Sequence, residues 1–550
     1  MMYFGEKQKT MSGIARYAAE KWGGRPAVKF DDRVISYAEL DLASDGFAKG
    51  LMALGVKKGD RVGIWMHNHP EWVVAWFGAS KAGATMVPLD YWYKAGEAQY
   101  ILWHSGTSVV ITSEPMFKVD FLGMINEIRT ELPELKHAVV YGELGDRAKN
   151  GWMTGFGELF EIGKKVSDAE LEARMDKTVE SDIHFILYTS GTTGKPKGAS
   201  LSHRNVILNA WIGGAGLRVT PEDNILVPVP YSHCFGNTLA LTLASLRGAC
   251  QTPMIAYAPA EALRTIEKQK CTLHHGVPTM FIRELEALKS EKFDLSSMRS
   301  GFVAGAPCPK EVMVAVREKM GTQLLNVYGQ TEASPLITMN RFGDDIDTMS
   351  TTVGVAIPGV EIRIVDPMTH KEMPCGEQGE LACRGHCVMD GGYYKQPDKT
   401  AETVDEGGWL YTGDLSVETP YGYYKITGRA KDMVIVGGFN VFPKVIEDHI
   451  IRHPKVQDVA VTGAKDFDLG EVVAAAVIPA AGQKIDPVEI VDWCYGEMSS
   501  AAVPRYVLIA ENLPYSGRGK VQKFKLNDLL NEKMEKGEMV KLKPSKVGKK

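Results

Sequence analysis

Cysteine is scarce in this 550-residue chain: eight residues, all from Cys234 onward and in no repeating frame. That excludes a disulfide-built scaffold and predicts a reducing compartment. No charge of one sign dominates, since Lys+Arg 63 against Asp+Glu 68 leaves a net −5. So small a surplus gives no basis for nucleic acid or an anionic membrane as a partner. Long hydrophobic runs are missing too. The longest, Val472–Ala481, is interrupted by Pro479 and reaches about half of the ~20 residues that span a bilayer. The opening MMYFGEKQKTMSG has no apolar stretch of the secretory kind. The expected location is cytoplasmic, with no transmembrane segment; a weak peripheral membrane contact and the oligomeric state are left open. Internal repeats and low-complexity segments are absent as well.

Glycine, by contrast, is plentiful, at 56 residues against an average near ~7%. The length predicts three or four domain-sized units at ~150 residues each. Leu40, Ala43, Phe47, Leu51 and Leu54 fall at helical spacing, and Gly55 and Lys58-Gly59-Asp60 turn the chain into the apolar strand Val62–Met66. A helix over Glu71–Ala82 leads through Gly83 into Ala84–Leu89. Such alternation predicts α/β with a largely parallel sheet. It continues to about residue 340, with strands at Ile225–Val229 and Gly301–Ala304. Between Val360 and Ile426 short strands separated by Pro and Gly predict a β-rich subdomain. Beyond Lys431 strands Val456–Val461 and Val472–Ile478 and a helix Asp486–Glu497 return to α/β. From Lys533 the Lys-rich end is expected to fray.

The densest chemical signal is Tyr188-Thr-Ser-Gly-Thr-Thr-Gly-Lys-Pro-Lys-Gly198, after the strand His184–Leu187. Glycines free backbone N–H groups to form an anion nest, hydroxyls add donors and lysines add charge, a combination suited to phosphate. The Walker spacing does not fit on Gly191 or Gly194, and Pro196 prevents the usual helix. Downstream, Tyr328-Gly-Gln-Thr-Glu332 joins an aromatic face to a threonine and a hard oxygen ligand suited to Mg²⁺. Asp414 lies in a tight Thr-Gly-Asp turn, where a carboxylate can cap the turn or accept hydrogen bonds from a ligand. Cys375, Cys383, His386 and Cys387 crowd together like a zinc set but lack a second half. Gly213-Gly-Ala-Gly216 lacks the preceding strand of a dinucleotide turn.

The loop resembles the phosphate signature of the adenylate-forming superfamily of acyl- and aryl-CoA synthetases, peptide-synthetase adenylation domains and luciferases. Ala304-Gly-Ala-Pro307, Tyr328–Glu332, Tyr411-Thr-Gly-Asp414, Gly428-Arg-Ala-Lys-Asp432 with Gly437-Gly-Phe-Asn440, and Gly519-Lys520 match in the expected order, over about residues 10 to 530. The resemblance is greatest to fatty-acid–CoA ligases. It implies a large N-terminal domain, 1–430, of two α/β subdomains plus the β-rich one. A small mobile C-terminal α/β domain, 431–532, and the tail 533–550 follow.

It further implies that ATP is held by Thr189, Ser190, Gly191, Thr192, Thr193, Gly194, Lys195 and Lys197. Gly305, Ala306, Pro307, Asn326, Tyr328 and Gly329 would take the adenine side, with Ile426 also on the nucleotide. Asp414 and Arg429 would hold the ribose. Glu332 is the implied Mg²⁺ ligand. Thr331, His233 and Lys520 are the implied catalytic residues, Lys520 reaching the carboxylate and α-phosphate. Lys431 matches the pivot between the two half-reactions, and Gly437 and Gly438 the loop lining the pantetheine tunnel for CoA. Val445 stands where the family usually has Glu.

The acyl pocket is expected from Tyr231–Asn237, His275–Pro278, Gly301–Gly305 and residues after Glu332. No carboxylate lies between Pro228 and Gly248 to meet an α-ammonium, which disfavours amino acids. Asn237 replaces the gating Trp of long-chain enzymes. Val277, Phe302 and Val303 favour an apolar tail. The expected activity is an ATP-dependent acid–CoA ligase acting on a medium-chain or branched fatty acid. An aromatic or alicyclic acid is the alternative, and beyond it an acyl-AMP ligase loading a carrier protein or an inactive acyl-AMP sensor.

Overall fold

The computed structural model describes residues 8–116, 119–144, 151–189, 195–436, 439–466, 469–495, 497–515 and 521–545. Backbone contacts divide it into two units: residues 1–362 with 383–410, and residues 363–382 with 411–550.

The first unit is built on two twisted sheets. One has nine strands, in the order Val355–Ala356, Leu336–Met339, Gln323–Gly329, Ser300–Val303, Leu273–His274, Asn224–Val227, Cys250–Pro253, Pro26–Phe30 and Arg33–Ser36. Its strands from Gln323–Gly329 to Cys250–Pro253 pair in parallel. The loops leaving their carboxyl ends therefore all emerge at one edge, where open α/β sheets bind ligands. The second sheet has seven strands, ordered Met153–Gly155, His137–Tyr141, Thr107–Ser113, Arg61–Trp65, Thr85–Pro88, Ile183–Thr189 and Lys197–Ser202. Its last pair is antiparallel, with Thr189 opposite Lys197.

The expected helix at residue 71 forms as Pro70–Lys81, with proline at its first turn, and every residue in it is buried. Trp72 stacks on Trp76 at 5.0 Å and on Tyr231 at 5.1 Å, so this helix packs directly against the loop that carries His233. Lys81 is fully buried, with its ammonium held by Asp41 and, at 2.7 Å, by Asp45. Unpaired, that charge would cost several kcal/mol, on the order of the ~3–5 measured when one partner of a buried pair is removed. The glycines of Gly213–Gly216 close a helix, His203–Gly216, with the Leu239, Arg247 and Met339 side chains packed close against Gly213, Gly214 and Gly216.

The four-stranded sheet Val360–Val365, Gln378–Gly385, Leu410–Glu418 and Tyr424–Arg429 forms the β-rich segment read from the sequence, and the division between the units runs through its strands. In the second unit, strands Val456–Asp466 and Gly470–Pro479 pair antiparallel along their length. The first runs beyond its expected end at Val461, because the backbone ladder continues through Thr462–Asp466 past the buried Val and Ala stretch to Lys465↔Glu471 and Asp466↔Gly470. Strand Tyr506–Ile509 adds in parallel to the free edge of Gly470–Pro479, and the hairpin Val434–Val436/Phe439–Val441 meets the start of that same edge at Gly470.

The end of the chain departs from expectation. A helix runs over Lys523–Glu535, Leu526 and Leu530 are buried, and Met534 and Met539 pack on the same cluster. The Leu542 N–H donates to the Arg505 carbonyl at 2.8 Å and Ser545 is tied to Asp492. Lysine content hid the spaced apolar residues that dock this segment as far as Ser545. No described helix is long and apolar enough to cross a membrane.

Candidate active site

The strands flanking the phosphate-type loop pair antiparallel: Ile183–Thr189 ends at Thr189 and Lys197–Ser202 returns beside it. Ser190, Gly191, Thr192, Thr193 and Gly194 lie outside the described residues. On the return side the chain continues as a strand from Lys197, directly after Pro196, whose missing amide hydrogen leaves it just outside the ladder. A third chain segment flanks the hairpin, with Tyr393 bridging Ala199 and the Tyr394 N–H donating to the Gly198 carbonyl at 2.7 Å. Lys197 Nζ sits 4.7 Å from the Tyr393 ring and Lys195 Nζ 5.3 Å from the Tyr100 ring. Tyr188 is buried and its hydroxyl meets His104 Nδ1 at 2.7 Å. Burial, with Tyr100 and Tyr394 alongside, pushes the Tyr188 phenol well above its ordinary range, so the hydroxyl stays protonated.

Strand Gln323–Gly329 brings the second motif to the sheet edge. Gly329 is required there, because a Cβ would fall 1.6 Å from the Pro335 carbonyl oxygen of the adjoining strand connection. Thr331 and Glu332 follow in a buried 3₁₀ turn, Thr331–Ala333. Glu332 Oε1 accepts from Tyr393 Oη at 2.8 Å and from Thr189 Oγ1 at 3.4 Å. The hairpin base and the Tyr328–Glu332 motif, far apart in sequence, thus meet at one carboxylate. Asn326 is buried and its amide N–H₂ group donates to the Thr352 and Met349 carbonyls at 3.0 and 3.4 Å. Gly305, Ala306 and Pro307 are exposed beyond the end of strand Ser300–Val303, next to Gln323–Gly329 in the sheet.

His233 caps a short helix, Cys234–Gly236, and its Nδ1 accepts from the Phe235 N–H at 3.2 Å. An accepting Nδ1 places the neutral ring's hydrogen on Nε2. Cys234 Sγ bridges the motifs, 3.7 Å from His233 Nδ1 and 3.8 Å from Thr331 Oγ1. Behind His233 lies a stack of rings: His275 is 6.0 Å from Phe235 and 4.9 Å from Phe302. His275 is fully buried, its Nδ1 accepts from the Phe302 N–H at 3.2 Å, and burial, assisted by His274, pulls its pKa down to about 3. It is uncharged at neutral pH. Asn237 is buried with its amide donating to the Tyr231 carbonyl at 3.1 Å, and it opens a π-helical turn, Asn237–Thr242. Val303 is fully buried and bridges Gly276.

In the second unit, register pairs Asp414 with Arg429 on neighbouring strands, and Arg429 Nε donates to Asp414 Oδ1 at 2.9 Å. Gly413 takes φ +72°, a left-handed turn that glycine adopts without strain. Its N–H donates to Glu380 Oε1 at 2.7 Å, while the Asp414 N–H donates to Thr412 Oγ1 at 3.1 Å. Ile426 is half-buried on the same sheet, opposite Ser416. The hairpin connection Gly437–Gly438 and Lys520 lie outside the described residues. The flanks of the lysine loop are tied by a bridge between Tyr515 and Val521. Val445 is exposed, while Glu447 takes Lys523 at 2.8 Å and the Val461 N–H at 2.9 Å.

Tyr393 and His104 are the contacts the motifs did not announce. An aromatic directly after Gly391-Gly392 was the available signal, but nothing local ties it to Glu332. A fit to Mg²⁺ rests on the donor set. Glu332 is a hard oxygen ligand, and among the described residues no group of three His, Cys, Asp or Glu side chains could form a protein cage. Mg²⁺ typically takes one or two carboxylates and completes its shell with substrate phosphate and water, so Glu332 suits it.

Comparison with known proteins agrees. Residues 15–394 match the AMP-binding enzyme family and residues 445–520 its C-terminal domain. YngI of Bacillus subtilis, named for an acyl-CoA synthetase, is 40% identical over 94% of this chain and 96% of its own. The mitochondrial medium-chain acyl-CoA ligase ACSF2 of Danio rerio is 35% identical over 95% of this chain and 88% of its own. The crystal structure of the anthranilate CoA ligase AuaEII with anthranoyl-AMP superposes with a TM-score of 0.85 at 28% identity, covering 96% of this chain and 98% of that one. The chain belongs to the AMP-binding enzyme family. Within it the chain is an AMP-forming acid–CoA ligase, which uses ATP, Mg²⁺ and CoA.

Proposed function

We propose that the acid is a medium-chain or branched fatty acid. The observation that carries this reading is the uncharged lining behind His233: the Phe235–His275–Phe302 stack with a neutral imidazole, and an Asn237 amide already engaged. A charged or zwitterionic tail would be desolvated there without a partner, at ~1–3 kcal/mol or more per group. The likeness to a medium-chain ligase supports the same class. An aromatic or alicyclic acid is the second reading, favoured by the flat ring stack and by the likeness to an anthranilate ligase.

In the first half-reaction the carboxylate attacks the α-phosphorus of ATP, forming acyl-AMP and releasing pyrophosphate. In the second the CoA thiol attacks the acyl carbon and AMP leaves. Thr189 to Lys197 hold the phosphates, and Thr331 donates to a phosphate oxygen. Gly305, Ala306, Pro307, Asn326, Tyr328 and Gly329 serve the adenine side; Ile426 is assigned to the nucleotide, and Asp414 and Arg429 to the ribose. Mg²⁺, when bound, offsets the charge of the leaving pyrophosphate, and Glu332 is its protein ligand. His233 orients the carboxylate through Nε2–H. Lys520 supplies a cation where charge builds in adenylation. Lys431 is the pivot between half-reactions, at the junction of a 1–430 domain with 431–532, and Gly437 and Gly438 line the route of CoA. Free thiols at all eight cysteines support a cytoplasmic setting.

A panel of acids assayed for CoA- and ATP-dependent AMP release tests the reading. Highest kcat/KM on roughly six- to twelve-carbon or branched acids is expected. Preference for benzoate-type acids selects the second reading, AMP release that requires a carrier protein points to the acyl-AMP ligase, and no turnover on any acid to the inactive sensor.

A further inference from the structure

We infer that Tyr393 is a positioning residue that fixes which oxygen of Glu332 faces the metal. Its hydroxyl donates to Oε1 at 2.8 Å, and Thr189 Oγ1 converges on the same oxygen. Among the described residues Oε2 has no such donor and no cation lies within ion-pair reach of the carboxylate. Oε2 is therefore the oxygen left to a cation. The tyrosine is itself held from several sides. It is 6% exposed, its N–H donates to Thr400 Oγ1 at 2.9 Å, its backbone bridges Ala199, and its ring carries the Lys197 ammonium at 4.7 Å. A second tie runs from the Met389 N–H to the Glu332 carbonyl at 2.9 Å. Segment 389–393 thus clamps the glutamate by both backbone and side chain. A hydrogen bond to a metal-binding carboxylate sets its orientation, and loss of such a partner costs about 10- to 100-fold in metal affinity.

The inference rests on Glu332 being the metal ligand, and the test separates the two. Mn²⁺ binding to the full-length enzyme with a non-hydrolysable ATP analogue is followed by the electron paramagnetic resonance signal of free Mn²⁺. Tyr393→Phe, which keeps the ring under Lys197, is expected to weaken Mn²⁺ binding about 10- to 100-fold with the melting temperature and the KM for the acid unchanged. Tyr393→Leu is expected to match it. In a Glu332→Gln background Tyr393→Phe is expected to add nothing. If Glu332→Gln binds Mn²⁺ like the parent, the ligand assignment fails and the inference with it. If Glu332→Gln is weak but Tyr393→Phe is not, or if binding follows the ring and only Tyr393→Leu is weak, the Tyr393 role alone is overturned.

Discussion

Glu332 and Asp414 are both buried carboxylates in motifs of this family, yet their surroundings are opposite. Glu332 receives two neutral hydroxyls, from Tyr393 and Thr189. Asp414 receives the Arg429 guanidinium at 2.9 Å. A carboxylate met by hydroxyls alone has its negative charge unanswered in a partly dry setting, and a divalent cation is the natural partner for it. A carboxylate already paired with Arg has its charge answered, and is left with lone pairs that accept hydrogen bonds in a fixed direction. Under the proposed roles the same side-chain chemistry would serve a metal in one place and neutral hydroxyls in the other.

The largest expected effect separates charge handling from everything else. Lys520→Ala should abolish adenylation while CoA transfer from supplied acyl-AMP mostly survives. Gly438→Leu should do the reverse, keeping single-turnover pyrophosphate release and losing thioester formation. Equal loss of both half-reactions in either variant breaks the division of labour.

Next comes Glu332→Gln, which keeps an acceptor for Tyr393 but removes the charge. We expect a loss of about 10²–10³-fold in ATP–pyrophosphate exchange, on the scale of removing one transition-state electrostatic partner, relieved in part by high Mg²⁺. Asp414→Asn should act more mildly, raising the KM for ATP by roughly 10-fold, the order of one hydrogen bond to a charged group. Its Mg²⁺ dependence should not move. Were Asp414→Asn to shift the Mg²⁺ requirement as Glu332→Gln does, the contrast between the two carboxylates would collapse.

Much of this was legible in the sequence, for a physical reason. Asp414 was legible from its Thr-Gly-Asp turn and Arg429 from the family motif Gly428-Arg-Ala-Lys-Asp432; the pairing that sets them opposite on neighbouring strands of one hairpin was not. The motifs at 231–237, 304–307 and 328–332 follow parallel strands, whose alternation with helices is itself a pattern. The hairpin around the phosphate loop was half-legible, since Pro196 excluded the helix without naming the strand. Tyr393 was not legible. Its link to Glu332 is a long-range contact of a kind that neither spacing nor periodicity encodes. The chain end from Lys533 was misread because its lysines outweighed Met534, Met539 and Leu542, which pack on the apolar clusters of the unit. The boundary between the units also runs through the β-rich segment, placing 383–410 with the first unit and 363–382 with the second. Long-range backbone contacts set that division, and composition does not register them.

The smallest predicted effect asks whether Asp414 is truly answered by Arg429. Glu380 lies close by, 7% exposed, with Oε1 accepting from the Gly413 N–H at 2.7 Å. Burial raises its pKa above the ordinary carboxyl range and the Asp414 charge adds to that, against the Gly413 hydrogen bond and His370. A carboxyl whose folded pKa is raised contributes stability that is complete below its ordinary value near 4.5. That contribution is lost as pH rises through the higher folded value, because ionising it in the fold is the costlier event. Glu380→Gln keeps an oxygen for Gly413 and removes the titration. The variant should therefore melt with the parent near pH 4 and above it at pH 8, by roughly 2–4 °C for each kcal/mol in a domain of this size. Thermal melts across that range, repeated with Asp414→Asn, provide the check. In the Asp414→Asn background the gap at pH 8 should narrow, because a charge opposing Glu380 ionisation has gone and burial alone remains against it. A gap that is flat with pH, or that Asp414→Asn leaves untouched, would mean that Arg429 already screens Asp414 completely from its neighbour.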